Sequence, residues 1–255
     1  MPEFNVDVVT ADGAMDCFVA YPDGAYPDGA YPDGTHSDGD GPYAPVIIYM
    51  DVPGIREELR DFARRIAGEG FYAVLPDLYY REGKVRFDLR KGESELKKMF
   101  AVGGALSNAM IMRDTQGILN YLSDQPQASE HVGTIGYCMS GQFVLSAAGT
   151  FPEQIKATAA LYGTRMVTDK DDSPHKLIGA IQGEFYMGFA AHDPFVEDFV
   201  VPTLDTDMQA AGINFTLKTF ADTEHGFCFP QRPGYVEDAA EEVWQDVFAM
   251  YRRQL

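Results

Sequence analysis

Apolar and polar positions in this chain fall into short blocks whose period changes repeatedly. Residues 4–9 and 14–21 alternate with a period of two, and Ala11-Asp12-Gly13 between them is turn chemistry. They read as two antiparallel strands at a sheet edge, because successive side chains of a strand face opposite ways. Val46-Ile47-Ile48-Tyr49-Met50 is instead an unbroken apolar run, as expected of a strand covered on both faces of a parallel sheet. Over residues 56–67, Leu59, Phe62, Ala63, Ile66 and Ala67 recur at helical spacing, and Gly68 and Gly70 close the helix. Residues 71–76 form the next strand, so strand, helix and strand make a right-handed βαβ unit.

The alternation of periods continues. A charged, irregular stretch over residues 79–106 carries one helix at 92–101 and covers part of a pocket. A longer helix spans 106–122 with Ala109, Met112, Ile118 and Leu122 on its apolar side. Residues 131–144, His-Val-Gly-Thr-Ile-Gly-Tyr-Cys-Met-Ser-Gly-Gln-Phe-Val, pass from an apolar strand through a turn into a helix that runs to 148. Strands follow at 157–162, within 178–191 and at 214–220, with a helix at 199–211 between the last two. A final helix over 236–253 buries Ala239, Val243, Val247, Phe248 and Tyr251. This order predicts one α/β domain, a mostly parallel doubly wound sheet with an antiparallel N-terminal edge.

One segment departs from the pattern. Tyr-Pro-Asp-Gly occurs three times, at Tyr21, Tyr26 and Tyr31, within a low-complexity insert at about 21–42. Pro-Asp-Gly is turn chemistry and the apolar content is too low for a core, so an expanded surface turn is expected. Its aspartates lack the EF-hand spacing that ends in a bidentate Glu, so no metal is assigned there.

Composition narrows the function classes. A formal charge of −19 opposes nucleic-acid binding, which needs a basic surface. No apolar run approaches the roughly 20 residues that span a bilayer, and the N-terminus lacks a basic start and an apolar signal core. A cytoplasmic protein without a membrane partner is expected, as a monomer or small homo-oligomer. Cys17, Cys138 and Cys228 are odd in number and widely spaced, which suggests neither a disulfide framework nor a zinc ribbon.

Cys138 lies in Gly136-Tyr137-Cys138-Met139-Ser140-Gly141, the small-residue setting of a nucleophile elbow, where a thiolate at a helix N-terminus gains from the helix dipole. The competing reading is a buried packing cysteine. Reactive groups of an open α/β sheet gather after the carboxyl ends of strands, and four candidates lie at such ends: Asp51, Cys138, Asp193 and His225. After the elbow the order is Cys, Asp, His, the chain order of the α/β-hydrolase triad. His225 is the base and Asp193 the residue that orients it; His192 ranks below His225 because it adjoins the acid in the chain.

Those residues resemble the dienelactone hydrolase (carboxymethylenebutenolidase) family of α/β-hydrolases. Residues 136–141 resemble its cysteine elbow, Ala191-His192-Asp193-Pro194-Phe195-Val196 its acid loop, Glu224-His225-Gly226-Phe227 its histidine loop, and residues 71–79 its second parallel-strand segment. The likeness covers about 46–253. It implies an α/β-hydrolase fold and a cysteine hydrolase of a small ester or lactone, working through a Cys138 acyl-enzyme with no metal or organic cofactor. Backbone N–H groups of Met139 and Val52 would hold the oxyanion. Family members commonly carry a glutamate, implicated in deprotonating the cysteine, where this chain has Asp51. They also carry an arginine for the substrate carboxylate shortly after the histidine, where this chain continues Phe227-Cys228-Phe229-Pro230. Phe227 and Phe229 would make the mouth of the site apolar, Tyr137 would contact substrate, and Arg81, Arg86 or Arg90 would supply a cation. Cys228 is assigned to packing. Two rival classes remain at this level: a cysteine amidotransferase or redox-stress protein, and a non-catalytic ligand-binding homologue.

Overall fold

Alternation at the N-terminus produces the expected hairpin. In a computed structural model that describes residues 1–23, 42–87 and 91–255, β1 (Glu3–Thr10) pairs antiparallel with β2 (Gly13–Ala20) in register from Glu3 opposite Ala20 to Thr10 opposite Gly13. The repeats at Tyr26 and Tyr31, and Arg90, lie outside the described residues. Strands β3 (Pro45–Tyr49), β4 (Tyr72–Pro76), β5 (Val132–Tyr137), β6 (Ile155–Leu161), β7 (Glu184–His192) and β8 (Phe215–Glu224) complete one sheet. Its order is β1-β2-β4-β3-β5-β6-β7-β8. β2 meets β4 antiparallel, and every pairing beyond β4 is parallel. The α/β-hydrolase architecture expected from the sequence is therefore present.

Every residue of β3, β4 and β5 is buried, which their unbroken apolar runs require once helices cover both faces. β5 shows both layers. A Cβ on Gly133 would sit 3.1 Å from the Tyr251 ring of α6 (Glu237–Gln254), whereas one on Gly136 would sit 2.6 Å from Val144 of α4 (Gly141–Thr150). α1 (Glu57–Gly68) buries Leu59, Phe62, Ala63 and Ile66, and Phe62 meets Trp244 of α6 edge-on at 5.4 Å. Burying such a ring stabilises the fold by about 1.5–3 kcal/mol.

Two helices bury the face their apolar spacing suggests only in part: Ile118 and Leu122 of α3 (Asn108–Ser123) and Val243, Val247, Phe248 and Tyr251 of α6 are buried as expected, and other positions differ. α3 starts on a Ser107 cap and buries Ile111, Asp114, Thr115, Gly117, Ile118, Leu119 and Leu122; Ala109 is exposed and Met112 half-buried. The inner face carries polar residues whose partners are distant in sequence: Thr115 bonds Tyr49 at 2.8 Å, and Asp114 accepts from Tyr80 at 2.9 Å and Arg81 at 2.7 Å. α6 buries Ala240 and Trp244, and Ala239 is only half-buried. α2 (Glu93–Ala105) and α5 (Val200–Ala211) complete the helices.

β3 lies between β4, which follows it in the chain, and β5, which comes much later. The sheet reverses its winding there. Ligands of open α/β sheets bind outside the carboxyl ends of the strands at such a point, and the loops after β3 and β5 carry Asp51 and Cys138.

Candidate active site

The elbow is a strained turn. Cys138 adopts φ 57°, a left-handed conformation that costs a non-glycine residue about 1–3 kcal/mol and persists only where its surroundings enforce it. Two glycines permit the geometry. A Cβ on Gly136 would lie 2.8 Å from the Ser140 carbonyl, and one on Gly141 would lie 2.3 Å from Gly163 Cα. The Cys138 carbonyl accepts from Thr164 N–H at 2.9 Å, and Ser140 Oγ donates to the Met50 carbonyl, tying the elbow to the end of β3. The thiol is left half-buried on the floor of a cavity of about 960 Å³.

Asp193 and His225 converge on that floor from the ends of β7 and β8. His225 Nδ1 lies 2.9 and 2.8 Å from the two Asp193 oxygens, with both side chains almost fully enclosed. Phe195 N–H donates to Asp193 Oδ1 at 3.0 Å, so the acid is held by its own turn. Tyr162 and Phe195 meet the imidazole edge-on, with ring centroids at 5.0 and 4.8 Å. Nε2 is buried and makes no hydrogen bond of ordinary geometry among the described residues. Burial alone would push the imidazole down, but Asp193 and then Cys138 outweigh it and raise its pKa to about 9. His192 is exposed and does not line the cavity.

Met139 and Val52 both line the cavity. Gly54 N–H donates to the Asp51 carbonyl at 2.9 Å, which shapes the loop that carries Val52. Met99, Phe100 and Gly103 of α2, with Phe87 and Phe195, make the apolar wall. Phe227, Phe229 and Tyr137 are not part of that wall. All three are fully buried beneath it, where Phe229 packs on Tyr137 at 5.1 Å and Phe227 on Tyr162 at 5.5 Å. Apolar residues beside a strand-end histidine look alike in sequence whether they line the mouth or fill the core below.

Asp51 is buried and accepts from two arginines: Arg56 at 2.5 and 3.1 Å, and Arg232 at 2.5 Å. No hydrogen bond joins it to Cys138 among the described residues. Arg56 also reaches Glu58, and both guanidiniums stand 4.6 Å from the Phe229 ring centroid. Arg232 corrects the expectation of a missing cation. It lies seven residues past His225, beyond the run Phe227-Cys228-Phe229-Pro230, and successive turns bring it back to the cavity. Gly226 makes room, since a Cβ there would collide with the Arg232 side chain. Arg81 is a second correction. It lies away from the cavity and is committed to Asp114 at 2.7 Å and Asp12 at 2.6 Å, an ion pair that pins the N-terminal turn to α3. Arg86 does line the cavity, paired with Asp77 at 3.0 Å. Arg165, overlooked in the sequence, enters the cavity at φ 55° beside Thr164 and has no ion pair among the described residues.

The model of the dienelactone hydrolase family matches residues 33–255. The chain belongs to that family. A Synechocystis protein named "Putative carboxymethylenebutenolidase" is 27% identical over 224 residues, covering 84% of this chain and 88% of its own. Among solved structures, a dienelactone hydrolase from Klebsiella pneumoniae, titled putative, superposes with a TM-score of 0.83 at 22% identity, over 99% of this chain and 98% of its own. A dienelactone hydrolase-like promiscuous phosphotriesterase from metagenomic libraries gives 0.77 at 19% identity, over 99% and 98%. As a dienelactone hydrolase family member the chain is a hydrolase of the class that acts on lactones and esters. No helix of the described residues is long and apolar enough to cross a membrane, and no group of His, Cys, Asp or Glu among them could hold a metal.

Proposed function

We propose that the chain hydrolyses a small ester or lactone through a thioester on Cys138. The observation that carries this is the His225 ring: Nδ1 is held by both Asp193 oxygens, and Nε2 is buried with no hydrogen bond of ordinary geometry among the described residues, beside a strained cysteine. Cys138 passes its thiol proton to His225 Nε2, and Sγ, as thiolate, attacks the carbonyl carbon. The C–S bond forms while the carbonyl electron pair moves to oxygen, where the N–H groups of Met139 and Val52 receive it. Collapse expels the alkoxide, which takes a proton from His225 Nε2; in a lactone it stays tethered to the acyl group. Water then attacks the thioester, His225 takes the proton, and the Cys138 thiolate leaves.

Asp193 keeps the imidazole in the tautomer this cycle needs and stabilises its protonated form. Asp51 enters as counter-ion to Arg56 and Arg232, and a further role in activating the thiol is tested below. An anionic substituent on the substrate has a partner in Arg165.

Activated esters and lactones mixed with the protein should leave an acyl mass on Cys138, and Cys138→Ala should abolish turnover. Turnover undiminished in Cys138→Ala would sink the reading. Glutaminase activity would point to the amidotransferase class, and peroxide oxidation of Cys138 without acylation to a redox protein. Tight ligand retention with no reaction at Cys138 would favour a non-catalytic binder.

A further inference from the structure

We propose that Tyr79 is the positioning residue for the oxyanion hole, acting on both of its backbone carriers at once. This rests on the acyl-enzyme reading above. Tyr79 follows β4 and is buried, yet its hydroxyl ends between the two loops that bear Val52 and Met139. It donates to the Val52 carbonyl at 2.7 Å and touches Met139 Sδ at 3.7 Å.

The Val52 carbonyl belongs to the peptide bond with Pro53, which has no N–H, so this carbonyl is the one hydrogen-bonding group of that peptide. The preceding peptide, whose N–H is the proposed oxyanion donor, is held at its other end by Gly54 N–H on the Asp51 carbonyl. Tyr79 and Gly54 thus fix the two peptide planes that flank Val52 Cα, and between them the direction in which its N–H points. The ring of Tyr79 is itself wedged: a Cβ on Gly54, at φ 79°, would lie 3.1 Å from it. Burial, and then Asp51 and Cys138, push the hydroxyl above its ordinary pKa, so it stays protonated and able to donate at neutral pH.

A third element meets the same point. Gly103 of α2 packs so closely that a Cβ there would sit 2.7 Å from Val52 Cγ2, 3.1 Å from the Tyr79 hydroxyl and 3.4 Å from Met139 Sδ. The wall of the cavity and the oxyanion loop therefore meet at one hydroxyl. An oxyanion donor is effective only where it is aimed in advance at the charge that develops, and this contact supplies the aim.

The test is Tyr79→Phe, which deletes the hydroxyl and keeps the ring, with Gly103→Ala pressing on the same atoms from α2. Both should lower kcat about tenfold, less than outright loss of an oxyanion donor, with KM changed less than about twofold. Affinity for an aldehyde or trifluoromethyl ketone, which forms a tetrahedral adduct, should fall with kcat, while binding of the carboxylate product stays unchanged. Tyr80→Phe is the control. It removes a hydroxyl bonded to Thr10 at 2.7 Å and Asp114 at 2.9 Å, outside the cavity, and should lower thermal stability without altering kcat. Wild-type kcat in Tyr79→Phe, or an equal fall in Tyr79→Phe and Tyr80→Phe, overturns the role of Tyr79 while leaving the acyl-enzyme reading intact. Absence of Cys138-dependent turnover in the wild type overturns both.

Discussion

Two buried carboxylates flank Cys138 at strand ends, Asp193 beyond β7 on one side of β5 and Asp51 beyond β3 on the other, and their partners separate their chemistry. Asp193 closes on an imidazole, a group that can give up and take back a proton. Asp51 closes on two guanidiniums, whose protons do not leave in proteins. On the mechanism proposed above, one side of Cys138 moves a proton and the other holds fixed charge. Strand-end position alone finds both acids; only the partner separates the one bound to a titratable ring from the one bound to fixed charge.

Asp193→Asn strikes the proton-moving half and should have the largest effect. With the wrong tautomer favoured, kcat should fall by roughly 10³–10⁴, as losing the acid of a triad does elsewhere. The pH dependence sharpens this. His225 is raised to about 9 in the folded state by Asp193 and Cys138 against the pull of burial, so the stabilisation it contributes is complete below about pH 6.5 and is lost as pH rises through about 9. Cys138 alkylation by iodoacetamide, followed against pH, reports the same pair. In Asp193→Asn its upper transition should move to lower pH, because a group that favours the imidazolium has gone. An unmoved transition would break the assignment of Asp193 to His225.

Asp51→Asn strikes the fixed-charge half, and its effect should fall mainly on stability. It leaves Arg232 without its carboxylate, while Arg56 keeps Glu58 at 2.8 Å. Losing one member of a buried pair costs about 3–5 kcal/mol; both arginines are partly exposed, so about 2 kcal/mol is expected in chemical denaturation. If Asp51 serves as counter-ion, kcat falls less than about tenfold and Asp51→Glu recovers part of the stability. If Asp51 also deprotonates Cys138, kcat/KM falls as far as in Asp193→Asn, and the contrast between the two acids disappears.

The strand-and-helix order, the elbow and the Cys, Asp, His sequence were legible because each rests on local spacing. The strand edge, the parallel core and the strand-end positions follow from apolar periods, and the six residues from Gly136 to Gly141 carry the clash constraints of the elbow in their own composition. What escaped depends on distant partners. Arg81 looked available because nothing near it in the chain announces Asp12 or Asp114. Arg232 was hidden because it lies seven residues past His225, and only the turns through Phe229 carry it back. Ile118 and Leu122 of α3 are buried as their spacing suggests, but the polar part of that face escapes for the same reason: Asp114 and Thr115 are buried where Tyr80, Arg81 and Tyr49 satisfy them. The segment after β6 gave little sign of its role, although Tyr162 packs on His225, Thr164 binds the Cys138 carbonyl and Arg165 enters the cavity.

The smallest expected effect belongs to the ring beneath the arginines. Phe229 was expected at the mouth, but it is fully buried, with Arg56 and Arg232 each 4.6 Å from its centroid and Phe62 stacked at 5.2 Å. Phe229→Leu removes the π-face and keeps an apolar side chain. Loss of two partly exposed cation–π contacts should cost about 1–2 kcal/mol in thermal or chemical unfolding, with kcat within about threefold of wild type because no proton passes through this half of the floor. Phe227→Leu makes the matched change on the other half, where Phe227 supports Tyr162 and Tyr162 supports His225. Its kcat should fall further than that of Phe229→Leu at similar loss of stability. Equal kcat losses in the two variants would mean that the floor responds as one packed layer rather than as two halves with different work.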